Sequence, residues 1–254
     1  MLIELSETMR KDPQQQKTLI KEYERALIKP FRNLKKAVIS LLRAHSKEME
    51  KELEFEVNFT SFSDDLAMTI YDVVYESLAP IVVNYTEQSY KRGTKFATLA
   101  MDRMGLAVSE TLYPPDWRAL DVLKTRNLTA LKGITDEVNK TIIQELTTGI
   151  QNGEGVVKLS ERISGRIEHI GMTRARIMAR HESSFAFNTA TKIRYHQYGI
   201  TKVEWLTGGG GRVCDECAAL NGKVFKIDDA PECPLHVQCR CTLLAVPDDT
   251  EVTG

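Results

Sequence analysis

The first 213 residues of this 254-residue chain contain no cysteine, and all five cysteines fall between positions 214 and 241. An odd, clustered set argues against a disulfide framework and for a reducing compartment with metal ligation. Charge of one sign is also missing: the net formal charge is −1, so bulk electrostatics select neither nucleic acid nor an acidic surface. No continuous apolar run approaches the roughly 18 residues of a membrane helix, so no membrane segment is expected. Met1 to Pro13 lacks the apolar centre of a secretory signal. There is no glycine-rich loop ending in Lys-Ser/Thr, no serine elbow and no internal repeat. His181-Glu182 is followed at the zincin spacing by Phe185 and not by a second histidine, so that metalloprotease pattern fails. Gly208 to Gly211 precedes Arg212, but a glycine run alone does not make an anion site. What remains is a soluble composition, 42% hydrophobic and 27% charged, sufficient for a sizeable core.

The chemistry sits in the cysteine window. Cys214-x-x-Cys217 is followed by His236-x-x-Cys239-x-Cys241. Each short pair offers two soft ligands from one turn, and a fold that returns the chain on itself makes a tetrahedral Zn2+ site. The expected ligands are Cys214, Cys217, His236 and Cys239, with Cys241 as the alternative to His236, because in an extended run it shares the strand face of Cys239. Cys233, in Pro231-Glu232-Cys233-Pro234, is the weakest candidate. Four protein ligands close the coordination sphere, so the metal is read as structural, whereas a catalytic zinc keeps a position open. Asp215 and Glu216 are ordinary polar fillers of a CxxC turn. A β element of this size buries little apolar surface, and metal supplies the missing stability. Loss of a ligand is expected to unfold about residues 203–246 while leaving the N-terminal helices intact.

The remaining pattern is helical, giving an α+β, mainly α-helical fold. Leu19, Tyr23, Leu27, Phe31, Leu34, Val38 and Leu41 form one stripe over residues 14–48, with Pro30 expected to kink or restart the helix. Phe55, Val57 and Phe59 alternate as a strand does. Ser63 reads as an N-cap of a helix reaching Met104 and interrupted near Pro80. Tyr113-Pro114-Pro115 is a break. Beyond it, helices are expected from Asp116 to Arg126, from Thr135 to Gly149, from Val157 to Ile167, and from Thr173 to a C-cap at Gly199. Strands follow at Val203 to Leu206, Val224 to Ile227 and Thr242 to Val246. The predicted divisions are a helical arm, 1–112, a helical middle, 113–200, and a small β zinc-binding element with its tail, 201–254. Charge is segregated in the arm. Arg25, Lys29, Arg32, Lys35, Lys36, Arg43 and Lys47 lie in a stretch without an acid, whereas Glu48 to Tyr90 holds ten acids against Lys51 alone. The basic face is either a solvated surface or a contact for nucleic acid or an acidic partner.

Several motifs in order carry a resemblance. Ala179-Arg180-His181-Glu182, Asn188-Thr189-Ala190, Gly199-Ile200, Val203-Glu204-Trp205-Leu206-Thr207, Arg212-Val213-Cys214-Asp215-Glu216-Cys217, Leu220-Asn221-Gly222-Lys223-Val224-Phe225 and Pro234-Leu235-His236-Val237-Gln238-Cys239-Arg240-Cys241 resemble the phage Mu F-like minor head proteins, the head morphogenesis proteins of tailed phages. The likeness runs from about Leu131 to Val246. The family pattern has Thr-Glu at His181-Glu182, and proline at Cys233 and Val237, which makes Cys233 dispensable for metal. The resemblance implies a low-copy, non-enzymatic virion protein of the head interior or portal vertex, assembled in the host cytoplasm. Its implied roles are in head assembly, DNA packaging or DNA delivery. The implied partners are the portal protein and, in the head, the major capsid or scaffolding protein. The arm, 1–112, is then expected to dock on portal by laying its apolar stripe on the partner, with the basic residues 25–47 meeting packaged DNA or an acidic surface. A metal-dependent nuclease or other DNA-processing enzyme, and a zinc-containing DNA-binding module, are the competing readings.

Overall fold

The computed structural model describes residues 12–49, 55–108, 114–208 and 213–254. The side chains of Lys47 and of the acids from Glu48 to Glu56 lie outside the described residues, as do Tyr113 and residues 209–212. Five long helical segments precede a small sheet: α1 (Lys17–Met49), α2 (Phe55–Ile70), a π-helical turn (Tyr71–Glu76), α3 (Ser77–Arg103), α4 (Trp117–Gln151) and α5 (Val156–Gln197). Then come β1 (Lys202–Leu206), the short α6 (Asp215–Leu220), β2 (Val224–Lys226) and β3 (Thr242–Ala245). The sheet is antiparallel, with β1 between β2 and β3. The mainly helical α+β expectation and its three strands therefore hold.

Helix continuity departs from the sequence reading at several points. α1 runs through Pro30 without restarting. Side chains packed on both sides of the proline, Leu27, Phe31 and Leu34, are buried to within 4% exposure, which outweighs the roughly 3 kcal/mol cost of an interior proline. Leu42, not Leu41, completes the stripe. Phe55, Val57 and Phe59 open a helix instead of a strand, and Ser63 lies inside it and not at its cap. A short apolar alternation does not distinguish the two periods. The irregularity expected at Pro80 appears one turn earlier. Pro80 has no N–H for the carbonyl of Glu76, and the ladder widens into the π turn that ends at Glu76. Asp116 does cap α4, its Oδ1 accepting from the N–H of Arg118 at 3.0 Å and of Ala119 at 3.1 Å. But α4 continues past Thr135, and the two helices expected over 157–199 are one, α5. Gly199 (φ +67) ends it, with the N–H of Ile200 donating to the carbonyl of Tyr195 at 3.0 Å.

The chain divides into two compact units. The second, Tyr23–Val83 with Arg126–Arg176, contains helices and no strand among its described residues. It buries Leu34, Val38 and Leu42 of α1, a stripe at four-residue steps from Phe62 to Val82, and Val138, Ile142 and Leu146 of α4. At Gly171 a Cβ would stand 2.5 Å from Phe31 Cγ, so α5 approaches α1 closely only without a side chain there. The helical run Ser61–Arg103 holds a window of mean hydropathy 1.5, long and apolar enough to cross a membrane by length and composition. The sequence reading missed it because Asp72 and Glu76 interrupt every continuous apolar run. Leu66, Ile70, Val74, Leu78 and Val82 of this run are buried within the unit, each at 1% exposure or less.

The first unit, Met1–Glu22, Asn84–Thr125 and Ile177–Gly254, holds the sheet. Its core joins Phe96, Ala97, Ala100 and Met101 of α3, Phe187 and Tyr195 of α5, and Val203, Trp205, Phe225, Leu243 and Leu244 of the sheet. Trp205 is fully buried. The sheet is thus one wall of a core whose other walls are helices. A Cβ at Gly93 would lie 2.1 Å from the carbonyl oxygen of Phe187, so glycine permits α3 to touch the α5 backbone.

Candidate metal centre

Strand register brings the two cysteine knuckles together. Leu206, the last residue of β1, pairs with Thr242, the first of β3. The chain leaving β1 toward Cys214 therefore starts beside the chain arriving from Cys241. Cys214 is the N-cap of α6, and its sulfur accepts from the Cys217 N–H at 3.4 Å. In the second knuckle the Cys239 N–H donates to the His236 carbonyl at 3.1 Å, and Gln238 adopts φ +69 to close the turn. His236 Nδ1 meets the Val237 carbonyl at 2.9 Å. A proton there leaves Nε2 as the basic nitrogen. Nε2 lies 3.1 Å from Cys214 Sγ and 3.2 Å from Cys217 Sγ. Cys217 Sγ lies 3.8 Å from Cys239 Sγ, far beyond a disulfide bond, and all five cysteines are free.

The ligand atoms form two overlapping triads, Cys214–Cys217–His236 and Cys217–Cys239–Cys241, each with its members within 4.8 Å of one another. Cys217 belongs to both. Around them is a cavity of about 30 Å3, edged also by Gly208, Gln238 and Arg240, which is of the size of one small ion or water. The donors are thiol sulfurs and an imidazole nitrogen, which a tetrahedral d10 cation accepts, so the cluster can hold a metal ion. Cys233 stands apart. It is buried and its thiol donates to the Cys241 carbonyl at 3.0 Å, so it serves the strand and lies in neither triad.

Local donors set the protonation pattern. The Cys217 N–H, with the thiol of Cys217 and His236 beyond it, lowers the Cys214 thiol below its ordinary value. The thiol and the N–H of Cys241 lower Cys239 to about 5. Cys241, as the donor in that pair, is pushed up. Burial raises Cys217 to about 12 and also raises Cys233. His236 is raised through its contact with the Val237 carbonyl and through the facing thiolates.

The cluster is tied to α5 by residues that sequence reasoning missed. The Cys241 carbonyl accepts from Asn188 Nδ2 at 3.1 Å and from Gln14 Nε2 at 2.8 Å. Thr242 Oγ1 donates to Asn188 Oδ1 at 2.8 Å. Gln14 also reaches Ser184 Oγ at 2.6 Å, and Gln16 the Ser183 carbonyl at 3.3 Å. Arg180 Nη1 donates to Gln238 Oε1 at 2.8 Å on the second knuckle. The Tyr195 hydroxyl donates to the Leu243 carbonyl at 3.3 Å and accepts from the Ala245 N–H at 3.2 Å. Asn188 was noted only within a motif, and Gln14 and Gln16 sit in a polar run with no periodicity. Neither His181 nor Glu182 is part of the cysteine cluster. His181 has a buried Nδ1 without a hydrogen-bond partner and a ring 6.4 Å from that of Phe185. Glu182 is buried.

Residues 140–244, which contain α5, β1, β2, all but the last residue of β3 and the whole cluster, match the family model described as phage Mu protein F like protein. An uncharacterized protein of Methanocaldococcus jannaschii is 27% identical over 135 residues, which cover 52% of this chain and 21% of that protein. An uncharacterized protein of Haemophilus influenzae is 27% identical over 143 residues, covering 52% of this chain and 30% of that protein. The chain thus spans less than a third of either relative. No solved structure matches it.

Proposed function

We propose that this chain, whose residues 140–244 match the phage Mu protein F like family model, is a non-enzymatic minor head protein of a tailed phage or prophage. It associates with the portal at the head interior and assists head assembly, DNA packaging or DNA delivery. The observation carrying this reading is the cysteine-histidine cluster. It lies inside the family-matched segment and is braced to α5 through Asn188 and the Cys241 carbonyl, an arrangement suited to holding a surface in shape. In our reading Cys214, Cys217, His236 and Cys239 hold one structural Zn2+. The 3.8 Å separation of Cys239 from Cys217 equals the edge of a tetrahedron with Zn–S near 2.3 Å. When bound, the ion supplies a closed four-ligand crosslink between the two knuckles.

Portal docking is assigned to the arm, 1–112, with 113–200 as its helical support and 201–254 as the clamped end. The apolar stripe of α1 is not the docking element, because Leu19, Tyr23, Leu27, Leu34 and Val38 are consumed by the chain's own packing. Docking falls to the polar face instead. Arg25, Lys29, Arg32 and Lys36 are exposed there, and with Lys35, Arg43 and Lys47 they suit an acidic portal surface or packaged DNA. The major capsid and scaffolding proteins are the other head components within reach. The test is co-expression with the cognate portal, followed by purification of the ring and of procapsids. Recovery of the chain in both is expected; absence from both overturns the reading. Magnesium- or manganese-dependent DNA cleavage, abolished by His181→Ala in a folded protein, would replace it with a nuclease.

A further inference from the structure

Two surfaces of the helical unit have opposite characters. One is a groove between α1 and α5. Phe31, Lys35 and Arg32 line its α1 bank, and Met172 and Glu168 its α5 bank. It continues past Ile39 and Arg43 to Glu161, Gly165 and Val157. The two cavities, which share Lys35 and Glu168 in their walls, hold about 250 Å3 and about 500 Å3. The charged lining is Arg32, Lys35 and Arg43 on the α1 bank against Glu161 and Glu168 on the α5 bank, with Lys35 Nζ 3.7 Å from Glu168 Oε2, so the groove keeps one positive charge in excess. From 157 to 172 the α5 bank is about 22 Å long at 1.5 Å per residue.

The other surface is the outer face of α2 and the π turn. Met68 is 66% and Tyr71 42% exposed. Tyr71 stacks on Tyr75 at 4.9 Å between centroids. Asp64, Asp65, Asp72 and Glu76 flank this stripe and are exposed. Opposite them in sequence, Glu48 to Tyr90 offers only Lys51. The stripe from Asp64 to Glu76 is about 18 Å long on the same rise, short enough to lie within the groove. Exposed aromatic and methionine side chains with a rim of one charge are how an amphipathic helix presents itself to a groove.

We propose that the acidic Met68–Tyr71 face of one copy docks in the α1/α5 groove of a second copy of this chain. The apolar groups enter the groove, and Asp72 and Glu76 face Arg32 and Lys35. Because a helix of one copy meets a groove of the other, the contact is heterologous, and repeated use gives rings or short chains of copies. Arg25, Lys29 and Lys36 lie outside the groove and stay available for the portal or DNA contacts proposed above. The proposal does not depend on them.

The test is sedimentation velocity of the purified full chain over a concentration series. The expected result is a species heavier than the 28.7 kDa monomer that grows with concentration. The variant pair Arg32→Glu with Lys35→Glu, and the pair Asp72→Lys with Glu76→Lys, are each expected to weaken association at least tenfold. Mixing the two variants restores it, because each then finds an opposite charge on the other. Gly165→Gln fills the groove at a position where a Cβ meets no atom within 4 Å, so it folds and is expected to be monomeric. A wild type that is monomeric at every concentration overturns the proposal. Association unchanged by both charge pairs and by Gly165→Gln also overturns it. Flotation of the monomer with neutral phosphatidylcholine vesicles, lost in Met68→Gln, would assign the face to a membrane surface and overturn it equally.

Discussion

Cys217 is the thiol on which the two triads converge, and single substitutions around it separate ligands from neighbours. Cys217→Ser is expected to lower the metal content from about one zinc per chain to none, measured on protein purified without chelator. Cys239→Ser should do the same. Cys241→Ser and Cys233→Ala should keep the stoichiometry, since Cys233 donates to a carbonyl 3.0 Å away. Metal lost in Cys241→Ser but kept in Cys239→Ser would move the fourth ligand to Cys241. Asn188 is the next test. It bonds Cys241 and Thr242 at once, and Asn188→Ala leaves the buried Thr242 hydroxyl without that acceptor. About 1–3 kcal/mol should be lost. Thermal unfolding should fall by about 2–4 °C for each kcal/mol, with zinc still bound. The knuckles were legible in the sequence because a chelating pair is local chemistry. The Gln14 contact was not, because it joins residues 227 positions apart and glutamine leaves no pattern when it is buried.

Helix boundaries were the least legible feature, and the reason is packing. Gly171 lies between the two helices expected before Gly199 and Gly165 near the end of the first, yet α5 passes through both. An interior glycine costs about 1 kcal/mol relative to alanine. That is small beside the buried side chains Leu159, Ile163, Ile167 and Ala175 that continue the helix face across it. At Gly171 the missing side chain is itself the packing device, since a Cβ there would enter the Phe31 ring. Gly171→Ala should therefore destabilise, against helix propensity, by about 1–3 kcal/mol as an overpacked contact. Gly165→Ala, with open space around it, should stabilise by up to about 1 kcal/mol. Chemical denaturation of the two variants measures the difference, and equal effects would show that α1 and α5 are not in close approach at residue 171. The same logic explains α2. The alternation of Phe55, Val57 and Phe59 suited either period, and the four-residue stripe from Phe62 onward extends the helix back over it.

At the scale of the molecule, metal removal should not release a detached module. The expectation from sequence was that losing a ligand unfolds residues 203–246 alone. But Trp205, Leu243 and Leu244 share one core with Phe96, Met101, Phe187 and Tyr195, so the sheet cannot open without exposing apolar surface on α3 and the end of α5. A loss confined to the loops 213–217 and 236–241 would need the sheet to stand on its own hydrogen bonds, and three strands of three to five residues are marginal in water without a covered face. Chelation is therefore expected to raise amide exchange together in β1, β2 and β3, in α3 near Phe96 to Met101, and in α5 near Phe187 to Tyr195. Exchange in the helical unit formed by Tyr23–Val83 and Arg126–Arg176 should stay within a few-fold of its starting rate, because its buried stripes contain none of these residues. Hydrogen exchange before and after chelation measures this directly. Exposure of the sheet with α3 and α5 still protected would restore the independent module. Simultaneous loss in both units would mean that the metal stabilises the chain as one cooperative body.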